Sequence, residues 1–487
     1  MLEFSELLRE YAGRSAYNYV QIAKMCGVER SLLMKFCSGK RKPQNMEIVE
    51  KIADVLMLTV AERDEFFEAY DMMRVGKGVY IQRKNISRLM EKFSEFVRCD
   101  KIEIKLAGQR NTFIKKEMKV VSGNANVIAY LQNLMLLETN REKCEISIFM
   151  PNQHNDIMTM LKGICNKANI SIRQLIVLEQ MREHCESDNI QNLLNIIPLL
   201  FGKCEYRSGY YYENRFGQNR LESAFGNYIL INEYCITYNT DLKNLIIYRS
   251  REIARVYQQY FDYVWKMGHE FAVKIRKEDI FDTYNTTDFV SMRGIPCLSF
   301  GFTRSFLRGI GEYDGIPGWD ELIEKSMKRI ETFADNISMG GKPLKMITDR
   351  RGCLEFMDEG YPVEIPKGYY KEPLPIKERI RLMKKLIHYM KKGYVEAYIV
   401  REECLAVDSR IICDLLSHES IVLIDASEGY EYTMIKITEN SIVEAYRDYM
   451  ETYLIGEASY SKEESIEIME LMVEEYSKNL KECSIEK

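Results

Sequence analysis

The chain has 487 residues, 46% of them hydrophobic and 29% charged, and a formal net charge of −5. That length exceeds what one core holds and implies about two to four domains of ordinary globular composition. The mildly acidic whole excludes general adhesion to nucleic acid, so any such contact must be local. Thirteen cysteines lie without a CxxC pair, and neither a signal-peptide-like start nor a long apolar span occurs. Reduced, structural cysteines in a cytoplasmic protein with no membrane partner are therefore expected.

Residues 1 to 72 read as five helices. Phe4 to Ala12 supplies the first, with Leu7, Leu8 and Tyr11 on one stripe. Asn18 with Gln21, and Thr59 with Glu62, have capping-box spacing at two further helix starts. Between them Ile48, Ile52, Ala53 and Leu56 form a fourth apolar stripe, and Phe66 and Phe67 belong to a fifth. The stretch Asn18 to Pro43 organises the rest. Ala23 sits where two helices approach closely, and Gly27 follows four residues later, where a left-handed turn is needed. Val28 points inward, and Leu33 and Phe36 complete an apolar wedge. Arg30, Ser31, Met34 and Lys35 are left on the outer face of the second helix, and Gly39 ends it ahead of Lys40-Arg41-Lys42 and Pro43. From Lys24 to Lys42 there are six cations and one acid, Glu29, a local excess that a DNA duplex would feel.

This segment resembles the helix-turn-helix of the XRE family, the phage-repressor and Cro-like domains. The agreement runs through Ile22-Ala23, Gly27-Val28, Arg30-Ser31, Leu33, Phe36 and Gly39 to Pro43, and covers about the first 70 residues. Tyr19 stands where the family usually has Gln, and Glu29 where it has Ser. The resemblance implies an all-α, five-helix, lambda-repressor-like DNA-binding domain at 1–72. It places Arg30, Ser31, Met34 and Lys35 nearest the bases of double-stranded DNA, with Asn18, Tyr19, Lys40, Arg41 and Lys42 along the phosphates. A homodimer on two half-sites is the expected working form.

Arg74 to Tyr80 reads as a glycine-containing joint, followed by an amphipathic helix from Asn85 to Val97 that serves as spacer, dimerisation helix or part of its own domain. From about residue 100 strand-like and helix-like segments alternate. Ile102–Leu106, Cys144–Met150, Ile170–Leu178, Tyr228–Ile231, Cys235–Tyr238 and Leu245–Tyr248 are expected strands. Asn126–Leu137, Ile157–Ile164 and Arg251–Trp265 are expected helices. The fold class is thus multidomain, with an α/β (α+β) region that begins with a sensor-like domain at 100–270. Leu242 to Trp265 aligns without gaps on Glu431 to Leu454, with Ile253 on Ile442, Tyr257 on Tyr446 and Tyr260 on Tyr449. A duplicate α/β module at 285–456 or a chance recurrence both fit, and an acidic helix from Ser461 to Leu480 follows within 457–487.

Catalytic constellations are not evident. The histidines at 154, 184, 269, 388 and 418 begin no H-x-K stretch and form no HExxH helix. The strand-helix ending at Trp265 resembles catalytically dead domains of the phospholipase-D-like kind, which serve as sensors in some regulators; no residue is carried over from it. His184-Cys185 is too small a set for a metal site, and the loop Gly309 to Gly315 reads as a turn rather than a phosphate cradle. Tyr210, Tyr211 and Tyr212, near Arg207, Arg215 and Arg220, are weighed as packing or as the lining of an anionic-ligand pocket, with Arg207, Tyr211 and Arg215 as its candidates. The expectation is a non-enzymatic DNA-binding transcriptional regulator without cofactor, whose large C-terminal region senses a small-molecule or protein signal, or oligomerises. The alternative is a binding or scaffold protein whose helix-turn-helix no longer reads DNA.

Overall fold

The computed structural model describes residues 3–97, 117–150, 153–178, 189–212, 226–276, 279–284, 286–310, 319–401, 408–426 and 433–485. It divides into two compact units, with the boundary between residues 84 and 85. The expected strand Ile102–Leu106, the pair His184-Cys185, Arg215, Arg220 and most of the Gly309 loop lie outside the described residues.

The first unit is helical: α1 (Phe4–Arg14), α2 (Tyr19–Cys26), α3 (Arg30–Cys37), α4 (Met46–Val55) and α5 (Val60–Val75). Both expected capping boxes form, at Asn18/Gln21 and Thr59/Glu62, and a third at Glu3/Glu6 opens α1. Phe4, Leu8, Ile22, Leu33, Phe36, Ile52 and Phe66 close one core, in which the Phe4 and Phe66 rings stack 4.7 Å apart. The expected joint at 74–80 shrinks to Gly76, whose φ of +92° lets the chain turn in one residue. Helix α6 (Lys77–Val97) then begins at once, eight residues before the expected start at Asn85. Its Ile86, Leu89, Met90 and Phe93 are buried in the core of the second unit, with Phe93 edge-on to Phe201 at 5.6 Å, so packing rather than spacing is their role.

The second unit contains two mixed sheets. The first has β1 (Met118–Ser122), β2 (Cys144–Phe149), β3 (Ile170–Leu178), β4 (Glu205–Tyr212), β5 (Asn227–Ile231), β6 (Tyr234–Tyr238), β7 (Asn244–Arg249) and the short β8 (His269–Glu270). The second has β9 (Ala272–Ile275), β10 (Phe289–Arg293), β11 (Leu344–Asp349), β12 (Val395–Val400), β13 (Ile411–Leu416), β14 (Ser420–Asp425) and β15 (Thr433–Ile437). Setting β8 aside, the first sheet runs 1-7-6-5-2-3-4 and the second 9-15-14-13-10-11-12. Position by position the senses agree: the first three neighbours and the 5/2 and 13/10 pairs are antiparallel, and the last two pairs parallel. The second sheet takes its edge strand from 272–275, earlier than the 285 expected for the second module, because β9 is the counterpart of β1.

Helices α7 (Asn124–Glu138), α8 (Asn155–Ile164) and α9 (Asn189–Leu200) cover one face of the first sheet, and α10 (Arg251–Met267) the other. In the second half, α11 (Trp319–Ser338), α12 (Arg350–Glu359), α13 (Ile376–Lys391) and the terminal α15 (Lys462–Ile485) share one face. The opposite face carries α14 (Asn440–Arg447), extended by a π-helical stretch, Asp448–Ala458. The ungapped sequence echo lays β7 on β15 and Arg251, the first residue of α10, on Asn440, the first of α14. The two modules share one apolar cluster, in which Ile172 and Ile176 from the first sheet join Ile411 and Ile435 from the second and Tyr446 from α14.

Where the modules meet, Glu439 is fully buried at the N-terminus of α14. Its carboxylate accepts the backbone N–H groups of Ser441 (3.1 Å) and Ile442 (2.9 Å), the Ser441 hydroxyl (2.5 Å) and the Tyr212 hydroxyl. Asn189 donates to Ser441 Oγ at 2.8 Å. A buried acid is tolerated here because donors surround it and a helix N-terminus faces it.

All nine cysteines whose side chains are described are buried and reduced. Burial pushes Cys26 and Cys144 up to about 11, and Cys204, Cys235 and Cys353 up to about 12. A thiol with a pKa near 11 is thiolate for only about one part in a thousand at pH 8. Iodoacetamide at that pH should leave these five unlabelled in the native chain and label them after urea, read by peptide mass spectrometry. Native labelling of Cys26 at the rate of a free thiol would refute the packing described for α2.

Candidate nucleic-acid interface

The geometry of the first unit follows from a few residues between Asn18 and Pro43. Asn18 Oδ1 accepts from Val20 N (3.0 Å) and Gln21 N (3.1 Å), while the Gln21 side chain accepts from Asn18 N (3.0 Å), so α2 starts at a fixed point. Gly27 ends it with φ +71° and ψ 26°, and Val28 N returns to Ala23 O at 2.9 Å. The chain reverses there, Glu29 becomes the residue before α3, and Ile22, Ala23 and Cys26 meet Leu33, Phe36 and Cys37 in the core.

A Cβ added at Gly27 would meet nothing within 4 Å, so the whole penalty for Gly27→Ala is backbone strain. The substitution should cost about 1–2 kcal/mol. Gly13→Ala, also in open space but in the last turn of α1, should be neutral or stabilise by up to about 1 kcal/mol. Thermal unfolding of the two variants tests the contrast; equal midpoints would show that Gly27 is not held left-handed.

Packing of the wedge leaves Arg30, Ser31, Met34 and Lys35 exposed along one side of α3, with Met34 at 42%. Lys40, Arg41 and Lys42 are exposed in the loop that follows, Asn18 is exposed and Tyr19 half-buried at the start of α2. Arg41 N returns to Lys35 O at 3.3 Å, and Pro43 O accepts the Tyr70 hydroxyl at 3.3 Å, which anchors both ends of the basic loop to the helical core. Two bonds near these side chains were not foreseen, and the expected cap at Asn18 uses its amide oxygen. Ser31 Oγ donates to Glu29 Oε2 at 3.1 Å, and Lys42 Nζ donates to the Met73 carbonyl. The spacing of Glu29 and Ser31 signals the first; the second joins residues 31 apart and has no local sequence signal.

Of the residues expected to line an anionic-ligand pocket, Arg215 lies outside the described residues, and Tyr211 and Arg207 have partners within the protein. Tyr211 is buried between sheet and helix, its ring stacked 6.3 Å from that of Phe149. Arg207 pairs with Glu270 at 2.9 Å and lies over the Trp265 ring at 5.8 Å. The alternation of β4 sends Arg207 and Tyr211 to the same sheet face, where α10 covers Tyr211. A groove of about 700 Å³ lies nearby, lined by Tyr210, His269, Glu270, Lys274, Asp279 and Lys436, whose two lysines are balanced by two acids. Among the described residues no group of three His, Cys, Asp or Glu side chains could hold a metal, and no helix is long and apolar enough to cross a membrane.

A family model described as a helix-turn-helix domain matches residues 3–66. No curated protein matches the chain. Among solved structures, it is similar to TrmBL2, an archaeal chromatin protein described as having a novel mode of DNA binding, at 11% identity over 55% of this chain and 98% of that one, with a TM-score of 0.22. It is also similar to the phosphatidylserine synthase of Haemophilus influenzae (8% identity, 77% and 95% covered, TM-score 0.23). A third is the polyphosphate kinase of Porphyromonas gingivalis (9% identity, 78% and 60% covered, TM-score 0.24). At these values no activity carries across. Residues 3–66 are a helix-turn-helix domain, XRE-like in sequence, in a chain whose larger part is a mixed α/β region built on two sheets.

Proposed function

We propose that the protein is a cytoplasmic, sequence-specific DNA-binding transcriptional regulator that works as a homodimer. The observation that carries this reading is the exposed side of α3, where Arg30, Ser31, Met34 and Lys35 stand in a row beside the cationic loop 40–42. Arg30 and Lys35 suit guanine edges, Ser31 adapts to several bases, and Met34 suits a thymine methyl. Lys40, Arg41 and Lys42 track phosphates with Asn18 and Tyr19, and supply the salt-dependent part of the affinity. The α/β region, for which no catalytic role is proposed, serves sensing or oligomerisation.

Selection of the full-length chain on random duplexes tests the reading. Enrichment of a two-half-site sequence with centres about 34 Å apart, one duplex turn, is expected. Recovery of the unselected pool would overturn sequence-specific reading. One observation favours a second reading, a scaffold that no longer reads DNA: the Glu29 carboxylate sits beside the base-reading face and holds the Ser31 hydroxyl. Under it, Glu29→Ser should restore duplex binding that the native chain lacks.

A further inference from the structure

The duplicated topology offers an internal comparison between equivalent helices. In the second module Ile442, Tyr446 and Tyr449 are 0–1% exposed, because α14 and its π extension are covered on their outer side by the first module. Their counterparts on α10, Ile253, Tyr257 and Tyr260, are only half-buried. Beyond them Val256 and Tyr263 are 52% and 58% exposed. The edge strand repeats the contrast. Met118, opposite Tyr248, is 54% exposed, whereas its counterpart Ala272, opposite Ile437, is 4% exposed. Val120, on the same side of β1 as Met118, is 57% exposed, and there the two modules differ in character rather than burial, since its counterpart Lys274 is exposed and charged. The first module thus leaves open, with apolar side chains on it, a face whose equivalent the second module buries along its helix and at Ala272.

We infer that this face, the outer side of α10 with the adjoining edge of β1, docks a second copy of the same chain. The inference rests on the homodimer proposed above and says where it closes. The self-complementarity of α10 selects this occupant. Its outer stripe reads Glu252, Arg255, Val256, Gln259, Tyr263 and Lys266, at helical spacing. Antiparallel pairing of two such helices about a twofold axis at Gln259 sets Glu252 against Lys266 of the other copy, and Arg255 against its Tyr263 ring. Both contacts occur twice by symmetry. Glu252, Arg255 and Lys266 form no ion pair within the chain among the described residues, which leaves their charges available. Val256 lies between these polar contacts and supplies the apolar part.

Sedimentation of the full-length chain is the test, with Tyr263→Arg, Glu252→Lys, Lys266→Glu and the double variant Glu252→Lys/Lys266→Glu. The native chain should be a dimer. Each single variant should weaken it about tenfold or more, since like charges then face each other twice, and the double variant should recover most of the loss. These side chains are exposed, so the fold should be undisturbed, which circular dichroism checks. A monomeric native chain, or a dimer indifferent to every variant, would overturn the inference. Binding to an unselected duplex pool, measured on the same proteins, reports separately on DNA recognition because α10 and β1 lie outside residues 3–66.

Discussion

Arg30→Ala should lose discrimination at one base position in each half-site, by an order of ten- to a hundredfold, while its binding to unrelated duplexes stays near native. The reason is geometric. A guanidinium presents two parallel donors that match guanine O6 and N7, and Arg30 projects from the first residue of α3, the end that enters a major groove in this motif. Lys40→Ala and Arg41→Ala should behave differently, because a phosphate contact carries no sequence information. Each should weaken all duplexes alike and reduce the slope of log affinity against log salt by about one. Lys42, already hydrogen-bonded to the Met73 carbonyl, should show the smallest salt effect of the three. Titrations at several salt concentrations on selected and scrambled duplexes separate these behaviours. If Arg30→Ala and Lys40→Ala gave the same profile across sequences, the division between reading and positioning would be wrong.

Glu439→Ala should be among the most destabilising single changes in the second unit, costing about 3–5 kcal/mol. It removes the acceptor for two backbone N–H groups and two hydroxyls at a place that water does not reach. The Tyr212 hydroxyl, whose pKa is raised first by burial and then by its bond to Glu439, would lose that charged acceptor. Ser441→Ala should cost less, about 1–2 kcal/mol, because Glu439 retains its backbone and tyrosine partners. Glu439→Gln should fall between, since the amide nitrogen then faces donors on one side. Urea unfolding of the three variants tests the order; a native-like midpoint for Glu439→Ala would show that these bonds contribute nothing net.

Local signals were the easiest to read. The capping pairs at Asn18 and Thr59 and the left-handed Gly27 act over three or four residues, so spacing alone places α2, α3 and α5. The strands Ile170–Leu178 and Cys144–Phe149 stood out because apolar residues crowd both faces of a buried parallel strand. Helix α6 starts eight residues before the expected Asn85, because the positive φ of Gly76 makes the turn alone. Tyr211 looked like a ligand residue because adjacent tyrosines do not reveal which of them a helix far along the chain will cover. Glu439 gave no warning either, although it falls opposite Ser250 in the internal alignment and both occupy the cap before a helix. Within the interface, the wedge and the exposed row on α3 follow from helical periodicity, whereas the Lys42 bond depends on where α5 returns.

The apolar cluster common to both sheets has a thermodynamic corollary. Each half of the second unit has an apolar cluster of its own, but the cluster between the sheets draws on both, so heating or denaturant should melt both sheets in one cooperative step. The helix-turn-helix unit is built around an interior drawn from residues 4 to 73 alone, and should melt independently. Calorimetry of the intact protein should therefore record two transitions rather than three. A limited digest should release the amino-terminal piece whole, while a cut between the sheets should leave neither fragment folded.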